Sequence, residues 1–138
     1  MVGLFLLCAT VLALGCVFGY YYGKLSTKAN FEPNTRVLGE VQSHKLLLYE
    51  TALENELSYK EFARLKRIVF CESSWQKDAY NAKTHDYGYF QIARIHLAEA
   101  TEMGLDVVNS PEDNIKFGVW LYDKSGVQPW VASKKCWG

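Results

Sequence analysis

The strongest constraint on the fold is a helix start written into Leu57-Ser58-Tyr59-Lys60-Glu61-Phe62. Ser58 and Glu61 have capping-box spacing: the serine hydroxyl accepts from the Glu61 amide while the glutamate reaches back to the Ser58 amide, and Leu57 and Phe62 hold the two staple positions. The helix is therefore predicted to begin at Tyr59. Phe62, Leu65, Ile68 and Val69 then recur at helical spacing, which predicts a face turned to a core. The same helix runs into Cys71 and Glu72.

Upstream, His44 to Leu57 reads as a further helix, although Leu46, Leu47 and Leu48 run together and leave its buried face unassigned. Downstream, Asn81 to Gly88 is polar and turn-rich, and Tyr87 to Ile92 suits a short strand or the entry to a helix. Gly104 marks a helix stop. Ser110 caps a helix with Pro111 at its first position, in which Ile115, Gly118, Val119 and Tyr122 form the inward stripe before Gly126. The pattern predicts a mainly α domain with a small irregular or β lobe.

A chain of 138 residues supports one such core. Its formal net charge of zero gives no basic field for nucleic acid. Val2 to Tyr22 carries no charged side chain and has the length of a single bilayer crossing, so an N-terminal transmembrane anchor or export signal is expected over 1–23. Lys24 and Lys28 just after it favour a cytoplasmic placement of the downstream residues, in conflict with an exported domain. Residues 24–57 read as a tether and accessory helix, and 58–138 as the functional domain.

Cys71 and Cys136 bracket that domain. They are read as a disulfide pair, which implies an oxidising, exported location; two buried free thiols are the alternative. The histidines His44, His85 and His96 have no metal-ligand spacing, so no metal and no cofactor are expected.

Glu72-Ser73-Ser74-Trp75 is the sharpest local feature. The end of a helix carries partial negative charge, and burial near Trp75 disfavours a carboxylate further, so both effects raise the Glu72 pKa and suit a general acid. Fourteen residues on stands Asp86-Tyr87-Gly88-Tyr89-Phe90-Gln91-Ile92. With these two segments the chain resembles the lysozyme and lytic transglycosylase superfamily, whose members place a Glu-Ser pair at a helix end before a Gly-hydrophobic-hydrophobic-Gln-Ile segment. Ala79-Tyr80-Asn81 resembles the Ala-x-Asn between those motifs. Gly104-Leu105-Asp106 and Pro111-Glu112-Asp113-Asn114-Ile115 with Gly118 are similar to a later segment packed behind the site.

The resemblance covers about Tyr59 to Trp137. It implies a lysozyme-like α+β fold and a monomeric enzyme, bacterial or phage in origin, that cleaves peptidoglycan glycan strands outside the cytoplasm. Glu72 is expected to be the acid. Ser73, Asn81, Gly88, Tyr89, Gln91 and Trp130 are expected to bind substrate: Gly88 by admitting a sugar close to the backbone, Gln91 through its amide, Tyr89 as a stacking face. Trp130 either lines the groove or closes the core.

Asp86 separates two outcomes. As a second carboxylate it would serve a lysozyme-type hydrolase; otherwise Glu72 alone performs a transglycosylase reaction, the preferred reading, and Asp86 orders its loop. The tyrosine motif found late in transglycosylases is not recognisable, and Pro129-Trp130-Val131-Ala132-Ser133 stands near its position. That departure keeps a third expectation open, a glycan-binding or assembly protein with little chemistry.

Overall fold

A computed structural model describes residues 33–138, with side chains from Gly39 onward. The expected anchor at 1–23 lies outside the described residues. Among the described residues no helix is long and apolar enough to cross a membrane. One compact unit spans Val37–Gly138.

Helix α1 covers Pro33–Glu54, so it begins well before the expected His44 and takes in part of the segment read as tether. The three leucines are resolved by register: Leu48 is fully buried together with Ala52, one turn on, while Leu46 is exposed. His44, Leu48 and Thr51 are therefore one inward stripe at i, i+4 and i+7. The helix stops at Glu56, a non-glycine residue with φ of 56°, where the Glu56 amide reaches Leu53 O at 2.9 Å and the Leu57 amide reaches Ala52 O at 2.9 Å.

Helix α2, Tyr59–Ser73, starts at the predicted residue. Ser58 Oγ accepts from the Glu61 amide at 3.4 Å and Glu61 Oε2 accepts from the Ser58 amide at 2.8 Å. Leu65, Ile68 and Val69 are buried as the periodicity required, and Phe62 packs at the edge of the same core.

The small lobe is a three-stranded antiparallel sheet of β1 Tyr80–Asn81, β2 Asp86–Tyr87 and β3 Ile92–Ala93. Tyr80 pairs with Tyr87, and Tyr87 with Ile92. The stretch from Tyr87 to Ile92 is thus two strands joined by a turn over Gly88–Gln91, where Gly88 and Gln91 both have positive φ. A 3-10 turn at Arg94–His96 leads into α3, Leu97–Glu102, which closes at Gly104 with φ of 75°.

Helix α4, Pro111–Ser125, is capped by Ser110 and buries Ile115, Phe117, Gly118, Val119, Leu121 and Tyr122, a broader face than the predicted stripe. Gly118 is required by packing. A Cβ there would lie 2.3 Å from the Phe90 ring, so the absence of a side chain lets the sheet turn seat on the helix.

The chain ends in a 3-10 segment, Gln128–Ser133, and a last turn α5, Lys134–Trp137, neither evident from the sequence pattern. Both pack on α2. Cys136 of α5 forms a disulfide with Cys71 of α2, with Cα atoms 6.0 Å apart. Cross-linking over a separation of 65 residues restricts the unfolded chain. Replacing both cysteines by serine is expected to lower unfolding stability by about 4 kcal/mol, measured by denaturant titration of the two proteins.

Candidate active site

Glu72 occupies the last turn of α2, and the backbone reverses immediately after it. Ser74 and Trp75 both have positive φ, at 52° and 62°, an arrangement that costs non-glycine residues about 1–3 kcal/mol each and recurs at functional sites. The reversal places Trp75 against Tyr89, ring centroids 5.7 Å apart and edge to face.

The Glu72 carboxyl is partly buried. Burial raises its pKa above the usual carboxylate value, a hydrogen bond from Ser133 works the other way, and the nearby charge of Asp86 adds to the rise. Ser133 Oγ donates to Glu72 Oε1 at 2.5 Å. Asp86, on β2, is half-buried and accepts from Thr84 Oγ1 at 2.5 Å. The structure therefore brings the two expected carboxylates into electrostatic reach of each other.

The other expected contact residues divide. Asn81 is exposed, and its side chain accepts from the Lys83 amide at 3.1 Å, ordering the β1–β2 turn. Gln91 is half-buried and spends its amide N–H groups on two backbone carbonyls, Ala79 at 3.1 Å and Gly88 at 3.0 Å. Its side chain ties β1 to the turn.

The other four expected contact residues are buried. Ser73 is buried, with its hydroxyl donating to Val69 O at 3.0 Å, because its position on the helix points it into the core. Tyr89 is 1% exposed and offers no open stacking face; its hydroxyl pairs with His44 Nδ1 at 2.8 Å, and burial pushes its pKa up to about 12. Trp130 is buried, donating from Nε1 to Phe90 O at 2.8 Å, so it closes the core. Gly88 is buried too: a Cβ would lie 2.4 Å from Asn114 Nδ2, so the glycine makes room for that side chain.

Asn114 is the residue whose importance the sequence understated. Only 1% exposed, it accepts from the Phe90 amide at 3.0 Å and donates to Tyr87 O and Val107 O, each at 2.9 Å. Its signal was its place one turn into a capped helix with a buried stripe. His44 is a second such residue, buried between Tyr89 and Glu112, whose Oε1 lies 3.1 Å from Nε2. It pins α1 to the sheet turn. Trp75 lines two depressions of about 460 and 430 Å³, the first shared with Glu40, Gln76, Asp78 and Tyr89 and the second with Lys45, Lys66, Arg67 and Phe70.

A helix-end glutamate of raised pKa, a second carboxylate on a short antiparallel sheet, and a glycine-glutamine turn packed on an asparagine-bearing helix thus stand together in one domain. The Transglycosylase SLT domain family matches residues 52–126, more than half of the chain. The chain belongs to that family. No curated protein and no solved structure matches it. Much of α1, and the closing segment that carries Ser133 and Cys136, lie outside the matched span.

Asn114→Ala removes a side chain that bonds the Phe90 amide and the Tyr87 and Val107 carbonyls, and is expected to cost about 3 kcal/mol in denaturant unfolding. Because the folded-state pKa of Glu72 is raised, its contribution to stability is fully present below the unfolded-state value and is lost as pH rises through the folded-state value. Thermal melts should therefore find Glu72→Gln more stable than wild type at neutral pH, with the difference shrinking in acid.

Proposed function

We propose that this protein is a peptidoglycan lytic transglycosylase that cleaves the β-1,4 bond between N-acetylmuramic acid and N-acetylglucosamine, with Glu72 as its single acid and base. Family membership supports peptidoglycan cleavage in general. The observation that carries the finer reading is the Glu72 carboxyl, half-removed from water at a helix end so that it keeps its proton to a higher pH than an ordinary glutamate.

In this reaction protonated Glu72 gives its proton to the glycosidic oxygen as the bond to C1 breaks. The resulting carboxylate then takes the proton of the muramic 6-hydroxyl, whose oxygen attacks C1 and closes a 1,6-anhydro ring. The carboxyl is returned protonated, and no water is consumed. The residues do this as a monomer without a cofactor. The Cys71–Cys136 disulfide supports a location outside the cytoplasm, with 1–23 as the anchor or, where it is cleaved, as an export signal.

The proximity of Asp86 favours a second reading. Its charge acts on Glu72, and a carboxylate in that relation can stabilise or trap the sugar cation and let water complete a hydrolysis.

Digestion of purified peptidoglycan followed by mass spectrometry separates the readings. Anhydro-muropeptides are expected, lost by at least 100-fold in Glu72→Gln on the scale of general acid catalysis, and retained in Asp86→Asn. Reducing ends that vanish with Asp86→Asn would establish the hydrolase instead. Equal release by wild type and Glu72→Gln would remove Glu72 from the mechanism, and strand binding without any product would make the protein a binding module. The rate should fall as pH rises through the raised Glu72 pKa, since the first step needs the protonated form.

A further inference from the structure

The closing segment of the chain lies beyond the span that defines the family, and nothing in the proposed reaction requires it. Yet it supplies the hydrogen-bond partner of the Glu72 carboxyl among the described residues. Ser133 Oγ lies 2.5 Å from Glu72 Oε1 and 3.0 Å from Trp130 O, and it accepts from Trp137 Nε1 at 2.9 Å. A hydroxyl has one proton to give. With the indole N–H fixed on its oxygen, that proton has two acceptors, the Glu72 carboxyl and the Trp130 carbonyl.

The surroundings hold this hydroxyl in place from three directions. Trp137 is buried, and its indole also donates to Trp130 O at 3.0 Å, so the donor on Ser133 is locked to the same backbone. Trp130 is itself fixed through its bond to Phe90 O. The disulfide joins Cys136, three residues after Ser133, to Cys71, the residue immediately before Glu72. The covalent tie thus spans the same two segments that the hydrogen bond joins.

We propose that Ser133 is a positioning residue for the acid: its hydroxyl occupies Oε1 of Glu72, fixes the rotamer of the carboxyl group, and reserves Oε2 as the oxygen that gives and takes the proton. The inference rests on the reading of Glu72 as the acid. An unheld carboxyl at the end of a helix can rotate and place its proton on either oxygen; one held at Oε1 presents the same oxygen to the glycosidic bond in the acid step and to the 6-hydroxyl in the base step. The bond also favours the carboxylate, offsetting part of the rise that burial imposes.

Truncation at Ser133 is a clean test because Trp137 keeps Trp130 O as its acceptor, so no buried donor is left unpaired. The experiment tracks the Glu72 Cδ resonance in the full chain labelled with ¹³C-glutamate, assigned by its loss in Glu72→Gln, and in parallel the pH profile of peptidoglycan cleavage. In Ser133→Ala the Glu72 titration is expected to lie about one pH unit higher than in wild type, the equivalent of losing a hydrogen bond to a charged group, and the alkaline limb of the rate profile should move with it. The rate constant at saturating substrate should fall about tenfold with little change in KM. Ser133→Thr, which keeps the hydroxyl, should titrate and turn over as wild type does.

A Glu72 resonance that titrates identically in wild type and Ser133→Ala overturns the proposal. So does a Thr variant that behaves like the Ala variant, since the effect would then be packing and not the hydroxyl. The titration reads Glu72 directly and needs no turnover. If Glu72→Gln proves as active as wild type, the proposed reaction fails while the titration still decides whether Ser133 holds the carboxyl.

Discussion

Three backbone groups meet at the side-chain amide of Asn114. The Phe90 amide comes from the sheet turn, the Tyr87 carbonyl from the strand before it and the Val107 carbonyl from a loop distant in sequence. One amide group satisfies all three. A buried backbone group without a partner costs stability, so this side chain permits irregular chain to be packed inside the domain at all. The glycine at 88 exists in its geometry for the same reason, since any side chain there would occupy the amide's place. Among the described residues no buried side-chain nitrogen or oxygen lacks a partner. The site stands on a polar network that is closed.

Against that scaffold the Glu72 carboxyl is set by opposing influences. Burial and the charge of Asp86 hold the proton on Glu72, while the Ser133 hydroxyl favours its release. The proposed reaction asks Glu72 both to give and to take a proton, and such a group works best between those extremes. The residues that arrange this come from α2, from the sheet and from the chain terminus, so the balance belongs to tertiary structure and not to any one motif.

The parts readable in advance were those whose physics is local. The Ser58–Glu61 cap, the Leu65, Ile68 and Val69 face, and the capped start of α4 each depend on residues within a turn or two, and each stands where the spacing put it. The order of Glu72 and the Gly88–Ile92 segment was legible through resemblance. Facing was not. Whether Tyr89 stacks on a sugar or bonds His44, whether Trp130 lines a groove or reaches Phe90, and which of three leucines is buried in α1 all depend on partners far along the chain. Ser133 had no pattern to announce it, because its meaning comes from residue 72 and a disulfide three positions on.

The contact between Gly118 and Phe90 makes two distant positions a single unit of inheritance. The ring fills the space that any side chain at 118 would take, and the same aromatic residue gives its amide to Asn114 and its carbonyl to Trp130. A larger residue at 118 becomes tolerable only together with a smaller one at 90, and that exchange would loosen the turn that follows the Asp86 strand. The pair can drift only in step, and the architecture of the cleft resists gradual change at its centre more than at its rim.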